Sequence, residues 1–451
     1  MFETRKEYLD ILRRLQSVIF PKLKKNWGNN VWGIMQIGLG FLFHHIYANK
    51  IDDSLQKDSK MMKVRRDDIK RILKLSVFLP LRIIRWSGFL RGKTLIISHS
   101  THFITKDGKR YNIFSGSYKN RLEECDEAYF DFEIDTQERN GIKILFDDLN
   151  SYCSSLLKIK NKILSKEIRG VLYNVKLVDT FFDNDEWFNS NKIAFYLRDV
   201  IIENHILFLM YKTFLAILRP KQVWVYCYYS LTMLALVRAA NALNIRTIEY
   251  QHSVISDNHF AYTKWERIDE YSATLPRYFW VWTKDDKIII EKNFMGHMYK
   301  PVVQIVGNMY LEQEANSSPI DNKNDNRDVL IALQGQWIPD FVEKVIVESV
   351  GVMWYFRLHP RYPYDKERLL SFASRYPDKI NIDEANNMLL YDLFRKISTV
   401  IVMFSTIAIE AHKFGLKVII VGEEGYFSYE QSIKNAKYYY ASDVEQLSKL
   451  L

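Results

Sequence analysis

From residue 329 to the end of the chain, short β-branched runs alternate with amphipathic segments, and nothing else in the sequence limits the fold as strongly. Strands are expected at 329–333, 353–358, 379–382, 399–404 and 418–421. Helices are expected at 340–348, 366–374, 389–396, 408–414 and 443–450. Unbroken apolar runs suit strands covered on both faces, and helices between them return the chain parallel to itself. A doubly wound parallel α/β sheet is the economical solution.

The same pattern begins upstream. A strand at 222–227, a helix at 231–243 and a strand at 246–250 lead to Gln251, His252 and Ser253, and strands at 278–282 and 302–306 follow. Earlier strands are expected at 94–98, 141–146 and 170–178. A chain of 451 residues exceeds one compact core. The expected division is a basic helical region at 1–93, an α/β domain at 94–311, a polar linker at 312–327 rich in Asn, Asp and Ser, and a second α/β domain at 328–451.

The formal charge is +9, and much of the excess lies before residue 95, so a negatively charged neighbour is expected. The apolar run at 31–43 falls well short of the roughly 20 residues a spanning helix needs. Residues 70–92 mix Leu, Ile and Trp with Lys and Arg, which fits either a helix lying on an anionic membrane face or a core helix with a solvated basic side. Cys125, Cys153 and Cys227 make an odd set without metal-ligand spacing, and the first residues are charged rather than leader-like. A reducing cytosol is therefore expected, and secretion is not.

In open α/β sheets ligands gather beyond the carboxyl ends of the strands. In the second domain those positions hold Gln334 and Gly335, then Arg357, His359, Pro360 and Arg361, then Ser405 and Thr406. Ser405 and Thr406 stand where a helix starts, so they can cap it and leave N–H groups for a phosphate. Arg357 and His359 share one strand face and could turn two donors onto one oxyanion. Glu410, in the following helix, could reach a ribose hydroxyl. A simple cap, a structural histidine and a surface carboxylate are the plain alternatives. Neither a Walker loop nor a GxGxxG follows a strand, which weakens kinase and dehydrogenase readings.

The run Tyr355, Phe356, Arg357, Leu358, His359, Pro360, followed by Phe404, Ser405, Thr406 and Glu410 before Gly415, resembles the His-Pro and paired-hydroxyl motifs of bacterial sialyltransferase-type and Kdo-transferase-type enzymes. Related motifs occur in polyglycerol-phosphate transferases of teichoic acid synthesis. The resemblance spans residues 220–451. It implies a GT-B type fold of two Rossmann-like domains facing a cleft, with the nucleotide on the C-terminal domain, His359 near its phosphate and the acceptor on the first domain. Tyr250, Gln251, His252 and Ser253 resemble a strand-end segment that often reads Gln-His-Gly, with Ser253 in place of the glycine.

Such an enzyme must deprotonate an acceptor hydroxyl and neutralise a departing phosphate. His252 is the first choice of general base, with His99 and His102 as alternatives and Asp147 and Asp148 behind them. No metal and no other cofactor are expected. The expected partners are a nucleotide-sugar donor, for which the resemblance implies a CMP-linked acidic sugar, a glycan or lipid-linked glycan acceptor and an anionic membrane surface, but not nucleic acid. A CDP-polyol phosphotransferase, a sugar epimerase and a basic nucleic-acid-binding protein are the competing readings.

Overall fold

Unbroken apolar strands require cover on both faces, and the computed structural model meets that requirement with two parallel sheets. It describes residues 5–23, 31–47, 70, 74, 81, 91–99, 102–106, 108–124, 129–133, 165–182, 190–264, 274–294, 300–317, 327–359 and 365–451. Two compact units divide the chain. The first holds Met1–His252, His259–Trp282 and Ile290–Val306; the second holds Ser253–Asn258, Thr283–Ile289 and Gly307–Leu451.

In the first unit the strands are β1 (Thr94–Ser98), β2 (Phe103–Lys106), β3 (Lys109–Asn112), β4 (Tyr129–Glu133), β5 (Gln222–Val225), β6 (Arg246–Tyr250), β7 (Tyr278–Val281) and β8 (Val302–Ile305). All but β2 and β3 form one parallel sheet in the order β4-β1-β5-β6-β7-β8. The β2–β3 pair is a small antiparallel hairpin. One face of the sheet carries an aromatic layer in which Tyr118, Trp224, Tyr250 and Trp280 meet edge to face, and Tyr118 Oη donates to the Val306 carbonyl at 2.9 Å.

Helices Arg5–Ile19, Trp32–Tyr47, Gly116–Glu124, Ser165–Phe182, Ser190–Leu218 and Leu231–Ala242 belong to this unit. The strand expected at 170–178 is thus corrected to helix. Val171, Asn174, Val175, Val178 and Phe182 are buried, and that spacing follows the helical period rather than a strand's alternation. The expected strand at 141–146 and most of 70–92 lie outside the described residues. The apolar run at 31–43 forms part of the helix Trp32–Tyr47 and is almost wholly buried.

Ser190–Leu218 is apolar on most sides, so it shows no stripe for a sequence reading to follow. Within it, Tyr196–Leu218 is long and apolar enough to cross a membrane, and half of its 18-residue window is buried. Gly40 lies under Phe260, where an added Cβ would stand 2.5 Å from the ring carbon Cγ. Alanine at a helical glycine normally helps by about 1 kcal/mol. Here the ring must move, so we expect Gly40→Ala to lower unfolding free energy by about 1–3 kcal/mol in urea titrations.

The second unit contains β9 (Val329–Ala332), β10 (Trp354–Arg357), β11 (Ile380–Asn381), β12 (Thr399–Val402), β13 (Lys417–Val421) and β14 (Tyr439–Ala441). Their order is β11-β10-β9-β12-β13-β14, all parallel, which is the 3-2-1-4-5-6 order of a Rossmann sheet. Val329, Ile331, Trp354, Phe356, Ile401 and Ile419 turn one face toward Val342, Ile346, Leu369 and Leu447 from the helices. Each such side chain contributes roughly 1.5–3 kcal/mol on burial.

Helix ends set the strand starts. After the helix Ile407–Lys413, Gly415 takes φ +81° and Leu416 N–H returns to the Ala411 carbonyl at 3.0 Å, which drops the chain straight into β13. Asn244, φ +56°, does the same between helix Leu231–Ala242 and β6. The expected linker also needs correction. Its first residues belong to the helix Met309–Ser317, capped by Asn308 Oδ1 accepting from Leu311 N–H and anchored by buried Tyr310 and Leu311. Residues 318–326 lie outside the described ones.

Candidate functional site

Strand order reverses between β9 and β12 in the second unit, and the carboxyl ends of those two strands carry most of the residues singled out above. Just past β9, Gln334 is half-buried, and its Oε1 is buried without a hydrogen-bond partner among the described residues. Buried acceptors are nearly always satisfied, so an orphan at a switch point is where a ligand donor belongs. Gly335 follows with φ +77°, a backbone state that other residues resist.

Past β12, Ser405 is 5% exposed and accepts Ile407 N–H on its hydroxyl at 3.3 Å. Its carbonyl accepts from Tyr429 Oη and from Ala408 N–H. The main-chain N–H groups of Ser405 and Thr406 make no hydrogen bond among the described residues. One expectation is corrected here: the helix Ile407–Lys413 is seven residues long, so its dipole adds little, and the two N–H groups themselves are what an anion could use.

Glu410, one helical turn on, is half-buried at the centre of a polar cluster. Its Oε2 accepts from Tyr391 Oη at 2.8 Å, the Thr406 hydroxyl donates to the same carboxylate, and Arg357 faces it. Burial pushes the Glu410 carboxyl up to about 7, against the pull of Tyr391, Arg357 and Thr406. Near neutral pH this group is therefore divided between its acid and its carboxylate.

Arg357 does not match its expected role. Its Nη1 donates to the Ala385 and Met388 carbonyls at 2.7 and 3.0 Å, closing the end of the short helix Asp383–Asn387. Asn386 fastens the same helix to β10 through the Phe356 carbonyl and Leu358 N–H. With Nη1 spent on main-chain carbonyls, Arg357 is a positioning residue that also supplies charge to Glu410. His359 lies half-buried just beyond β10. Pro360 and Arg361 lie outside the described residues.

In the first unit the strand order turns between β1 and β5, and the histidines singled out stand beside that point. His102 is buried, with its ring edge-on to Tyr226 at 4.7 Å and Phe114 at 5.0 Å. Its Nδ1 accepts the His99 main-chain N–H at 3.3 Å. His252 repeats the arrangement: Nδ1 accepts from Cys227 N–H at 3.3 Å, and Nε2 lies 3.5 Å from Tyr229 Oη. Cys227 is held at φ +55°, which turns its N–H toward the imidazole.

An N–H can only donate, so in neutral His102 and His252 the remaining proton sits on Nε2. Both rings then present a donor where the sequence reading expects a base. Gln251 is structural as well, since its Oε1 accepts Trp282 N–H at 2.6 Å. Asp147 and Asp148 lie outside the described residues.

Sequence reasoning missed two contributors. Tyr391 reaches Glu410 from the short helix Leu390–Phe394, a contact that no local pattern signals. Gly425 opens the helix Glu423–Lys434 against the carbonyl of Met403, two residues before Ser405, at a distance no Cβ could tolerate.

No protein-family model matches the chain, and no curated protein does. Among solved structures it is similar to the UDP-GlcNAc 2-epimerase of Methanocaldococcus jannaschii in complex with UDP-GlcNAc and UDP, at 14% identity over 79% of this chain and 91% of that one, TM-score 0.45. The Neisseria meningitidis UDP-GlcNAc 2-epimerase bound to UDP-GlcNAc has 12% identity over 79% and 90%, TM-score 0.44. The α,α-trehalose 6-phosphate synthase of Burkholderia multivorans has 12% identity over 80% and 90%, TM-score 0.46. These likenesses are remote, and the fold assignment rests on the strand order and pairing of the chain itself.

Proposed function

We propose that the protein is a glycosyltransferase that takes a sugar from a nucleotide-sugar donor, with the donor on the second unit. The observation that carries this reading is the set of groups at the β9/β12 reversal: the orphan Gln334 Oε1, the unbonded N–H groups of Ser405 and Thr406, and the Glu410 carboxyl held by Tyr391 and Thr406. A nucleotide needs these three chemistries together. An N–H on the base suits Gln334, the phosphate suits the paired N–H groups, and the ribose diol suits a carboxylate.

In this mechanism His359 donates to the departing phosphate, and the negative charge that develops there is met by fixed N–H groups. His252 Nε2–H binds an acceptor oxygen and orients it. The acceptor hydroxyl bonds to the sugar's anomeric carbon as the bond from that carbon to the phosphate oxygen breaks, and its proton passes to the departing phosphate. The acceptor is a glycan or lipid-linked glycan, met at the anionic inner face of a cytoplasmic membrane, and a CMP-linked acidic sugar is the first donor to try. Nucleic acid is not a partner in this reading.

A thermal-shift series with CMP, CDP, UDP and GDP tests it. One nucleotide at about 100 times its Kd should raise Tm by several degrees, and His359→Ala should lose most of that gain. Mass analysis of the product then separates sugar transfer from polyol-phosphate transfer. A nucleotide sugar returned with altered configuration and no acceptor product would overturn the transferase reading.

Protonation of Glu410 adds a second expectation. Its carboxyl, raised to about 7, is mostly protonated at pH 6 and mostly ionised at pH 8. Nucleotide affinity should therefore rise up to about tenfold across that interval and then level off. Calorimetric titration of Glu410→Gln should lack this component; the same pH slope in the variant would remove Glu410 from the ribose.

A further inference from the structure

In the first unit, Phe208 on the helix Ser190–Leu218 has two cations within 6 Å of its ring centre. The guanidinium carbon of Arg238, from the helix Leu231–Ala242, stands 4.7 Å from the centre of its ring, and Lys212 Nζ stands 5.9 Å from it. Arg238 is only 7% exposed. It donates through Nη1 to Asn204 Oδ1, and Asn204 is fixed in turn by Nδ2 donating to the Leu231 carbonyl at 2.8 Å.

Among the described residues neither Arg238 nor Lys212 has a carboxylate partner. Burial lowers the guanidinium to about 10, so it stays charged at neutral pH. His205, the neighbour of Asn204, brings no charge: burial, and then Arg238, push its imidazole down to about 3.

A guanidinium withdrawn from water without a counter-charge costs more than one amide oxygen and one ring face return. Arg offers a planar fork and Lys a point charge, a pair that matches several oxygens sharing up to two negative charges. We propose that Arg238 and Lys212, with Asn204 orienting the guanidinium, form an anion subsite that takes a phosphate group, supplied either as free phosphate or by an anionic lipid headgroup. Exposed Lys212 marks its entrance. The site is separate from the donor site proposed above and does not depend on it.

The test uses the full chain and compares wild type with Arg238→Met and Lys212→Gln. Tm is followed as inorganic phosphate replaces chloride at matched ionic strength. Phosphate should raise the wild-type Tm by about 3 °C more than that of Arg238→Met. Lys212→Gln should need severalfold more phosphate for the same gain while its phosphate-free Tm stays at the wild-type value. Without phosphate, Arg238→Met should melt at or above wild type, because the variant no longer buries a lone charge.

Co-sedimentation with phosphatidylglycerol or phosphatidylcholine vesicles identifies the source. Binding to the anionic vesicles that Arg238→Met loses points to a headgroup, and a phosphate response without it points to free phosphate. Equal phosphate responses in all three proteins, with no Arg238-dependent sedimentation, overturn the proposal. Should Arg238→Met fail to fold, an unchanged phosphate response and unchanged sedimentation in Lys212→Gln overturn it.

Discussion

Glu249→Gln is expected to melt well above wild type at pH 9 and close to it at pH 5. Glu249 sits in β6 with 1% of its surface exposed, and its Oε1 accepts from Tyr262 Oη at 2.6 Å. Burial pushes this carboxyl up to about 8, against the pull of Tyr262 and of the Tyr228 main chain. Unfolded, the same group titrates near its ordinary 4.5. Between those values the folded chain holds a proton that the unfolded chain has released, so stability falls as pH rises. The contribution is whole below pH 4.5 and gone above about 8.

At about 1.4 kcal/mol per pH unit, this loss has an upper limit of about 5 kcal/mol, or on the order of 10 °C in Tm. Glutamine keeps an acceptor for Tyr262 and does not titrate, so it escapes the loss. Its amide must find a donor site in the same dry space, which holds the two proteins within about 1 kcal/mol of each other at pH 5. Other groups titrate equally in both proteins and cancel. A Tm difference that is the same at pH 5 and pH 9 would falsify the assignment of a protonated carboxyl.

Gly425→Ala should be the most damaging single methyl in the second unit. The added Cβ would overlap the Met403 carbonyl oxygen and stand 2.7 Å from Ile420 Cγ2. The carbonyl belongs to the main chain at the end of β12 and cannot rotate away, so the helix Glu423–Lys434 must lift from the sheet. Lifting it withdraws Tyr429, whose hydroxyl holds the Ser405 carbonyl. We expect a loss of about 3 kcal/mol or more in denaturant unfolding, and a nucleotide-dependent Tm gain that is reduced even where the variant is folded. Wild-type stability in Gly425→Ala would mean that the close approach is not real.

How much of this was legible in the sequence depended on whether a signal was local. The five expected strands at 329–333, 353–358, 379–382, 399–404 and 418–421 all appear, because each is a short run rich in β-branched or aromatic residues. The residues between 170 and 178 read as a strand because Val171, Val175 and Val178 are β-branched, until their helical spacing is counted. Ser190–Leu218 was silent because a helix apolar on most sides has no stripe. Positions after strands are readable, so Gln334, Ser405 and Thr406 can be named, and they follow the carboxyl ends of the neighbouring strands β9 and β12, with Glu410 one helical turn on.

Partners could not be named. Arg357 closes β10, and its side chain goes to carbonyls brought in by Asp383–Asn387, a tertiary event. The proton position on His252 depends on the left-handed turn at Cys227, which a cysteine does not announce. Tyr391 and Arg238 likewise take their meaning from neighbours distant in the chain.

The strand order of the second unit has a consequence for how the chain is made. β9 leaves the ribosome first and ends in the middle of its sheet, so both of its edges stay open until β10 and then β12 arrive. The partner on one side cannot dock before most of the unit has been synthesised. Its hydrophobic Val-Leu-Ile run is the segment most open to wrong pairing in a nascent chain, and the place where a holding chaperone would bind to greatest effect.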